Sequence, residues 1–175
     1  MIFNLATFTL VHVLLSVVGI FAGLVVAGAL IAGKRLDDWV NVYLVTTILT
    51  NLTGFGFPFV VLMPSHIIGV LSLLILPVVI FARYRKHLVG AWRRTYVYGI
   101  VVALYFNAFV LVVQLFRRIP ALIVSAPTQK EMPFVVTQVI VLALFVWLGR
   151  AALRGFTAQA AAVAETRVPS LAVPR

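Results

Sequence analysis

Long apolar runs separated by short polar segments dominate the pattern of this sequence. A hydrocarbon core about 30 Å thick needs about 20 helical residues to cross it. Five runs predict transmembrane helices, at about residues 8–32, 40–63, 66–82, 96–116 and 133–149. We therefore expect an all-α integral membrane bundle of five helices over residues 1–155, followed by a disordered cytoplasmic tail over residues 156–175.

Local signals place the ends of the first two helices. Gly33 predicts the end of the first helix, because glycine accepts the left-handed backbone of a helix terminus. Asp37 and Asp38 suit the start of the second, where the helix dipole favours carboxylates. Gly54 and Pro58 predict a kink or an unwound turn in the far half of the second helix.

The composition supports lipid as the solvent of this chain. Hydrophobic residues make up 63% of it and charged residues only 10%, whereas soluble domains average about 45–50% and about 25%. The N-terminal apolar run is too long for a signal-peptide core and is expected to be a span. With no cysteine in the chain, disulfides, cysteine-ligated zinc and attached c-type haem are excluded.

The formal net charge of +10 does not predict nucleic-acid binding, because the basic residues lie in short clusters between apolar runs. The 34–38 loop, the 83–94 loop and the C-terminal segment that follows the predicted fifth helix hold 2, 5 and 4 of the 14 Lys and Arg residues. The positive-inside rule then predicts an outside N-terminus and a cytoplasmic C-terminus in a bacterial inner membrane. Anionic headgroups are the expected contacts of Arg83, Arg85, Lys86, Arg93 and Arg94.

The first helix carries small residues at four-residue spacing, Gly19, Gly23 and Ala27. Such ladders allow helices to approach closely in lipid. Two interpretations are open: packing within the bundle, or the interface of a homo-oligomer.

Polar residues inside the spans are the strongest candidates for function, because an unsatisfied polar group in hydrocarbon is costly. The helical rise, counted from the cytoplasmic end of each helix, gives the depth of each residue in the membrane. Four residues on four helices lie at depths of about 16–20 Å: Asn51, Ser72, Asn107 and Gln138. Four more lie at depths of about 25–31 Å: His12, Ser16, His66 and Gln114. The groups serve either as interhelical hydrogen bonds, each worth about 0.6–2 kcal/mol, or as the lining of an outward-facing pocket for a small ligand. The pocket candidates are Asn51, Ser72, Asn107, Gln138, Gln114 and Ser16.

The two remaining polar residues of the outer layer are histidines. His12 and His66 lie at similar depths on helices that could be neighbours. One hypothesis is that they hold a b-type haem between them, as neutral imidazoles do. The alternative is that each histidine forms a hydrogen bond within the bundle.

Catalysis has little support in this sequence. All four carboxylates lie in predicted loops or in the tail, so neither paired-carboxylate chemistry nor a carboxylate metal site is expected in the membrane. We find no phosphate loop, zinc-protease motif or Ser–His–acid arrangement. The 117–133 loop is longer than a connector requires and is a candidate lid.

Three stretches carry a resemblance: TGFGFP at residues 53–58, PSHIIG at 64–69 and APTQ at 126–129. Together they resemble an uncharacterised group of small bacterial multi-pass inner-membrane proteins. The resemblance implies a bacterial inner membrane and no particular activity.

These observations favour a non-enzymatic bundle whose outward-facing polar pocket binds a small ligand or supports a complex. The alternative is a haem-binding electron-transfer protein that uses His12 and His66. A further alternative is a small transporter or channel subunit assembled through the first helix.

Overall fold

The computed structural model describes residues 4–57 and 64–166. Within these ranges all regular secondary structure is helical, which confirms the all-α class. A π-helical turn, Phe81–Arg85, continues α3 directly. The α-helices are α1 Leu5–Ile31, α2 Asp37–Gly54, α3 Pro64–Ile80, α4 Ala91–Arg118, α5 Pro120–Ser125 and α6 Met132–Thr166.

Four segments of the described chain are long and apolar enough to cross a membrane: Leu5–Ile31, Ser65–Arg85, Ala91–Arg118 and Met132–Gln159. The helix α2 is absent from this set because its 18 residues include two aspartates, two asparagines and several threonines, which make it too polar. The far part of the predicted second helix, including the kink at Pro58, lies outside the described residues. Five spans therefore remain a prediction.

The ends of α1 follow from its sequence. The Asn4 side chain accepts the backbone N–H of Thr7 at 2.8 Å and caps the first turn. Gly33 has φ +70° and follows the last turn, as predicted. The backbone N–H groups of Gly33 and Lys34 donate to the carbonyls of Leu30 and Ala29, which is the Schellman pattern.

The long helices alternate in direction, as contacts at the two ends of the bundle show. At one end, Arg83 reaches Asp37 at the start of α2, and Gly33 after α1 lies against Gln159 of α6. We call this the basic end. At the other, which we call the histidine end, His12 meets Thr53.

The core between the helices is apolar and tightly packed. The helix α2 packs against α1 and α3, and α4 packs against α1, α3 and α6. Tyr43 is fully buried and donates its hydroxyl to the carbonyl of Ile100 at 3.0 Å. Large apolar side chains such as Leu74 and Trp147 point outward, as expected of a bundle that lipid surrounds.

The last helix is longer than the sequence pattern suggested. It was expected to end near residue 149 and to give way to a disordered tail from residue 156, but α6 continues to Thr166. Gly149 does not break it, since one glycine costs a helix only about 1 kcal/mol. The alanine-rich stretch that follows favours helix, and Ala152 and Phe156 are buried in the core.

Candidate functional site

Three of the predicted polar residues meet in the middle of the bundle. The Asn51 amide of α2 donates to the Thr47 carbonyl at 2.7 Å and to the Ser72 hydroxyl of α3 at 3.1 Å. The Asn107 amide of α4 donates to the Thr47 hydroxyl at 3.4 Å. All four residues are buried. Their hydrogen bonds join α2, α3 and α4. This arrangement agrees with the interpretation that the polar residues of this layer form hydrogen bonds between helices.

Thr47 was missing from the predicted site, although it links the other members. Its spacing could have identified it, because residues four apart in a helix lie on the same face. Gln138, by contrast, belongs to a different contact. Its amide donates to the Phe109 carbonyl of α4 at 3.3 Å, while its side-chain oxygen is buried without a partner.

The histidine end carries polar groups that are less completely satisfied. His12 is half-buried, and its Nδ1 lies 2.8 Å from the Thr53 hydroxyl. The imidazole packs edge-on against Phe57, with ring centroids 5.2 Å apart. One turn before Thr53, the Thr50 hydroxyl is buried and forms no hydrogen bond. Ser16 and Gln114 are half-buried.

His66 occupies a different environment from His12. It is buried and stacks on Phe55, with ring centroids 6.0 Å apart. The two imidazoles therefore contact different rings of the α2 end, and α2 packs against both α1 and α3. In the haem hypothesis, the two ligating imidazoles would be His12, which contacts Phe57, and His66, which contacts Phe55. In the described ranges, no three His, Cys, Asp or Glu side chains are grouped to hold a metal ion.

Arg83 corrects the prediction that the basic loop as a whole contacts headgroups. Its side chain is only 4% exposed, and its Nη2 lies 2.7 Å from the Asp37 carboxylate. Its Nη1 donates to the Tyr96 hydroxyl at 3.2 Å. The π-helical turn changes the register of side chains around the helix axis, and both Ala82 and Arg83 face the interior there.

The other predicted headgroup contacts remain nearer the surface. Arg85, Lys86 and Arg94 are exposed, and Arg93 is half-buried with its guanidinium 5.9 Å from the ring of Phe156. The basic end therefore combines one buried guanidinium, which is paired with an exposed carboxylate, with a rim of accessible cations.

The small residues of α1 pack inside the chain. Gly19, Gly23 and Ala27 are all buried. A Cβ at Gly23 would lie 2.5 Å from Leu104 and 2.8 Å from Tyr43. This face is therefore occupied by α2 and α4, and it offers no free surface to a second copy.

The segment predicted as a lid contains α5, which packs on α4. The Glu131 carboxylate accepts the Thr128 hydroxyl at 2.7 Å and the backbone N–H groups of Thr128 and Lys130. The hydrogen bond from Thr128 is the main reason that the pKa of Glu131 lies below its usual value. Pro58, where the kink of the second helix is predicted, lies outside the described residues, so the role of this segment as a lid stays a prediction.

Among the described residues, two open surface depressions lie at the histidine end. One, of about 690 Å³, is lined by α1 and by Arg118 at the end of α4. The other, of about 250 Å³, lies beside Arg117 and Gln129. Neither is lined by the predicted pocket residues, and the sequence pattern had not singled out Arg118.

The geometry thus separates a closed polar layer in the middle from partly satisfied groups at the histidine end. Comparison with protein-family models, with curated proteins and with solved structures gives no match. What can be inferred about function therefore depends on the site itself.

Proposed function

We propose that the chain is a five-pass protein of the bacterial inner membrane, with its N-terminus outside and its C-terminus in the cytoplasm. The alternating directions of α1, α2, α3, α4 and α6 support five crossings. The concentration of Lys and Arg at the basic end supports a cytoplasmic location for that end. The resemblance to small bacterial multi-pass proteins agrees with this assignment.

Single cysteines test this topology cleanly, since the natural chain has none. Lys34→Cys, Lys86→Cys and Lys130→Cys would be treated in intact spheroplasts with a membrane-impermeant maleimide. We expect only Lys130→Cys to react before lysis. Labelling of Lys86→Cys but not Lys34→Cys would place the two on opposite sides and refute the crossing by α2.

Within this bundle, the proposed activity is non-enzymatic binding of a small ligand at the histidine end. The observation that carries it is the environment of His12. The Nδ1 of His12 forms a hydrogen bond with the Thr53 hydroxyl, whereas the Nε2 forms no hydrogen bond with the described part of the chain. The unbonded Thr50 hydroxyl lies one turn away along α2.

These groups suit a ligand with a hydrogen-bonding carbonyl and an apolar body. The imidazole could donate to the carbonyl from its free nitrogen, while Phe57 would contact the apolar part. The polar layer of Thr47, Asn51, Ser72 and Asn107 is hydrogen-bonded within the chain. It would close the inner side of this site, towards the middle of the bundle. Ligand sites commonly combine such an apolar wall with a few polar groups.

A short-chain benzoquinone is a suitable probe of this site. We expect it to raise the Tm of the purified wild-type protein and to have little effect on His12→Ala. Thr137→Val is the matched control, because the Thr137 hydroxyl donates only to a carbonyl of its own helix, α6. Equal stabilisation of wild type and His12→Ala would exclude His12 from binding, and no stabilisation of wild type would refute the carbonyl-ligand assignment.

A further inference from the structure

The larger cavity at the histidine end is a groove between the first turns of α1 and the end of α4. It is an open surface depression with a volume of about 690 Å³. Its lining consists of Leu5, Ala6, Thr9, Leu10, Val13 and Arg118.

The closest approach of α6 to α1 among the glycine positions lies at the basic end. There, the backbone of α6 at Gly155 touches the Ile31 carbonyl of α1 so closely that no side chain fits between them. At the histidine end, α6 packs on α4 instead, with Phe134 and Phe116 ring centroids 5.3 Å apart. Among the described residues, none of α6 lines the groove.

The groove combines an apolar wall with one positive charge. Leu5, Leu10 and Val13 expose much of their side chains, and the Thr9 hydroxyl donates back to the Leu5 carbonyl of its own helix. Of the described residues that line the groove, Arg118 alone is charged.

No carboxylate in the described ranges neutralises Arg118. The two ion pairs found there join Arg35 and Arg83 to Asp37 at the basic end. Glu131, the acid nearest in sequence to Arg118, is bonded within its own turn. An exposed guanidinium without an acidic partner is suited to bind a phosphate through paired N–H donors.

The positions of these groups match the two parts of a phospholipid. Arg118 ends the apolar segment Ala91–Arg118 and would lie at the membrane interface, where headgroups are. The lined stretch of α1 runs from Leu5 inward to Val13, over about 12 Å of helix, at the depth of acyl chains.

We infer that this groove is a specific site for an anionic phospholipid, whose phosphate binds Arg118 and whose acyl chain lies along α1. The inference requires that the chain spans a membrane. It does not depend on ligand binding at His12, which faces α2 from a different side of α1.

Native mass spectrometry of the full-length protein tests this site. Protein in mild detergent would be mixed with equal amounts of phosphatidylglycerol and phosphatidylcholine, and the retained lipid would be identified. We expect wild type to prefer phosphatidylglycerol and Arg118→Gln to lose about tenfold of that preference, as befits a charged hydrogen bond. Arg117→Gln, which removes the same charge from the neighbouring position, should keep it.

A second variant probes the apolar wall. Ala6→Trp should fill the groove and reduce retention of phosphatidylglycerol while leaving every charge in place. Inorganic phosphate at millimolar concentration should not displace the lipid, since it gains nothing from the apolar wall.

Three results would overturn the inference. Equal losses in Arg117→Gln and Arg118→Gln would show general attraction by the basic helix end, and equal retention of both lipids by wild type would show no site at all. Displacement by inorganic phosphate would likewise indicate an ion site without an acyl-chain groove. None of these results would alter the cysteine-labelling topology, so the two proposals can fail separately.

Discussion

Gly155 of α6 lies against the last turn of α1 with no room for a side chain. A Cβ built there would lie 1.9 Å from the Ile31 carbonyl oxygen and 2.9 Å from that of Leu30. Both obstacles are backbone atoms, so no side-chain rotation can relieve the collision. Because real Cβ atoms essentially never approach within 3.0 Å of such atoms, Gly155→Ala must move α1 and α6 apart by about 1 Å.

The expected cost follows from two opposing terms. Overpacking of this kind destabilises proteins by about 1–3 kcal/mol, and replacing glycine by alanine within a helix favours folding by about 1 kcal/mol. The net expectation is a loss of about 0–2 kcal/mol relative to wild type, and of about 1–3 kcal/mol relative to a glycine-to-alanine change at an unobstructed helical position. Gly155→Leu should cost more, because its larger side chain meets the same backbone.

Gly28→Ala is the matched control, since a Cβ at Gly28 would meet no atom within 4 Å. This variant should be as stable as wild type or slightly more stable. Unfolding of the purified protein in mixed detergent micelles, followed by circular dichroism, measures both. If Gly155→Ala proved as stable as Gly28→Ala, the close contact between α1 and α6 would be wrong.

Four further outcomes are expected from the same structure. Thr47→Val removes the hydroxyl that accepts an amide from α4 and should cost about 1 kcal/mol of unfolding free energy, whereas an unchanged midpoint would show that the layer contributes nothing. Arg83→Gln breaks an ion pair whose acid is 60% exposed and should cost about 1–3 kcal/mol; a comparable loss in the exposed control Arg85→Gln would contradict the special role of burial. The lowered pKa of Glu131 means that its carboxylate stabilises the turn before α6 at any pH above the unfolded pKa, and that this stabilisation is lost as the pH falls through the folded pKa. Amide exchange in this turn should therefore accelerate in acid in the wild-type protein. In Glu131→Gln the exchange, once corrected for its intrinsic rate, should be independent of pH. If the haem hypothesis holds, protein purified from haem-replete cells shows a Soret band whose low-spin form His12→Ala abolishes, and a colourless preparation that gains no band with haemin ends it.

The helical elements could be predicted because their causes are local. Apolar runs of sufficient length require helices in lipid, since each backbone polar group must be bonded within its own segment. Gly33 ends α1 where the pattern placed it, because a left-handed residue is needed at that point. The sequence pattern also placed Asn51, Ser72 and Asn107 at one depth, because depth follows from the helical rise alone.

The rotation of each helix about its own axis could not be predicted from the sequence. It depends on which neighbours fill the space, and it decided that Thr47 completes the polar layer while Gln138 bonds elsewhere. The length of α6 was also underestimated. Alanine-rich sequence is compatible with a tail or a helix, and the burial of Ala152 and Phe156 against the bundle favours the helix.

By itself, the sequence determined that this protein is an all-helical chain with apolar helices of membrane-spanning length and a concentration of positive charge on one set of loops. Only the tertiary structure decided which charges are accessible. Arg83 and Arg118 both stand at helix ends in basic clusters, yet one is buried against Asp37 and the other borders an open groove. The physical reason is that the partner of an arginine comes from other helices, so its role depends on how those helices pack.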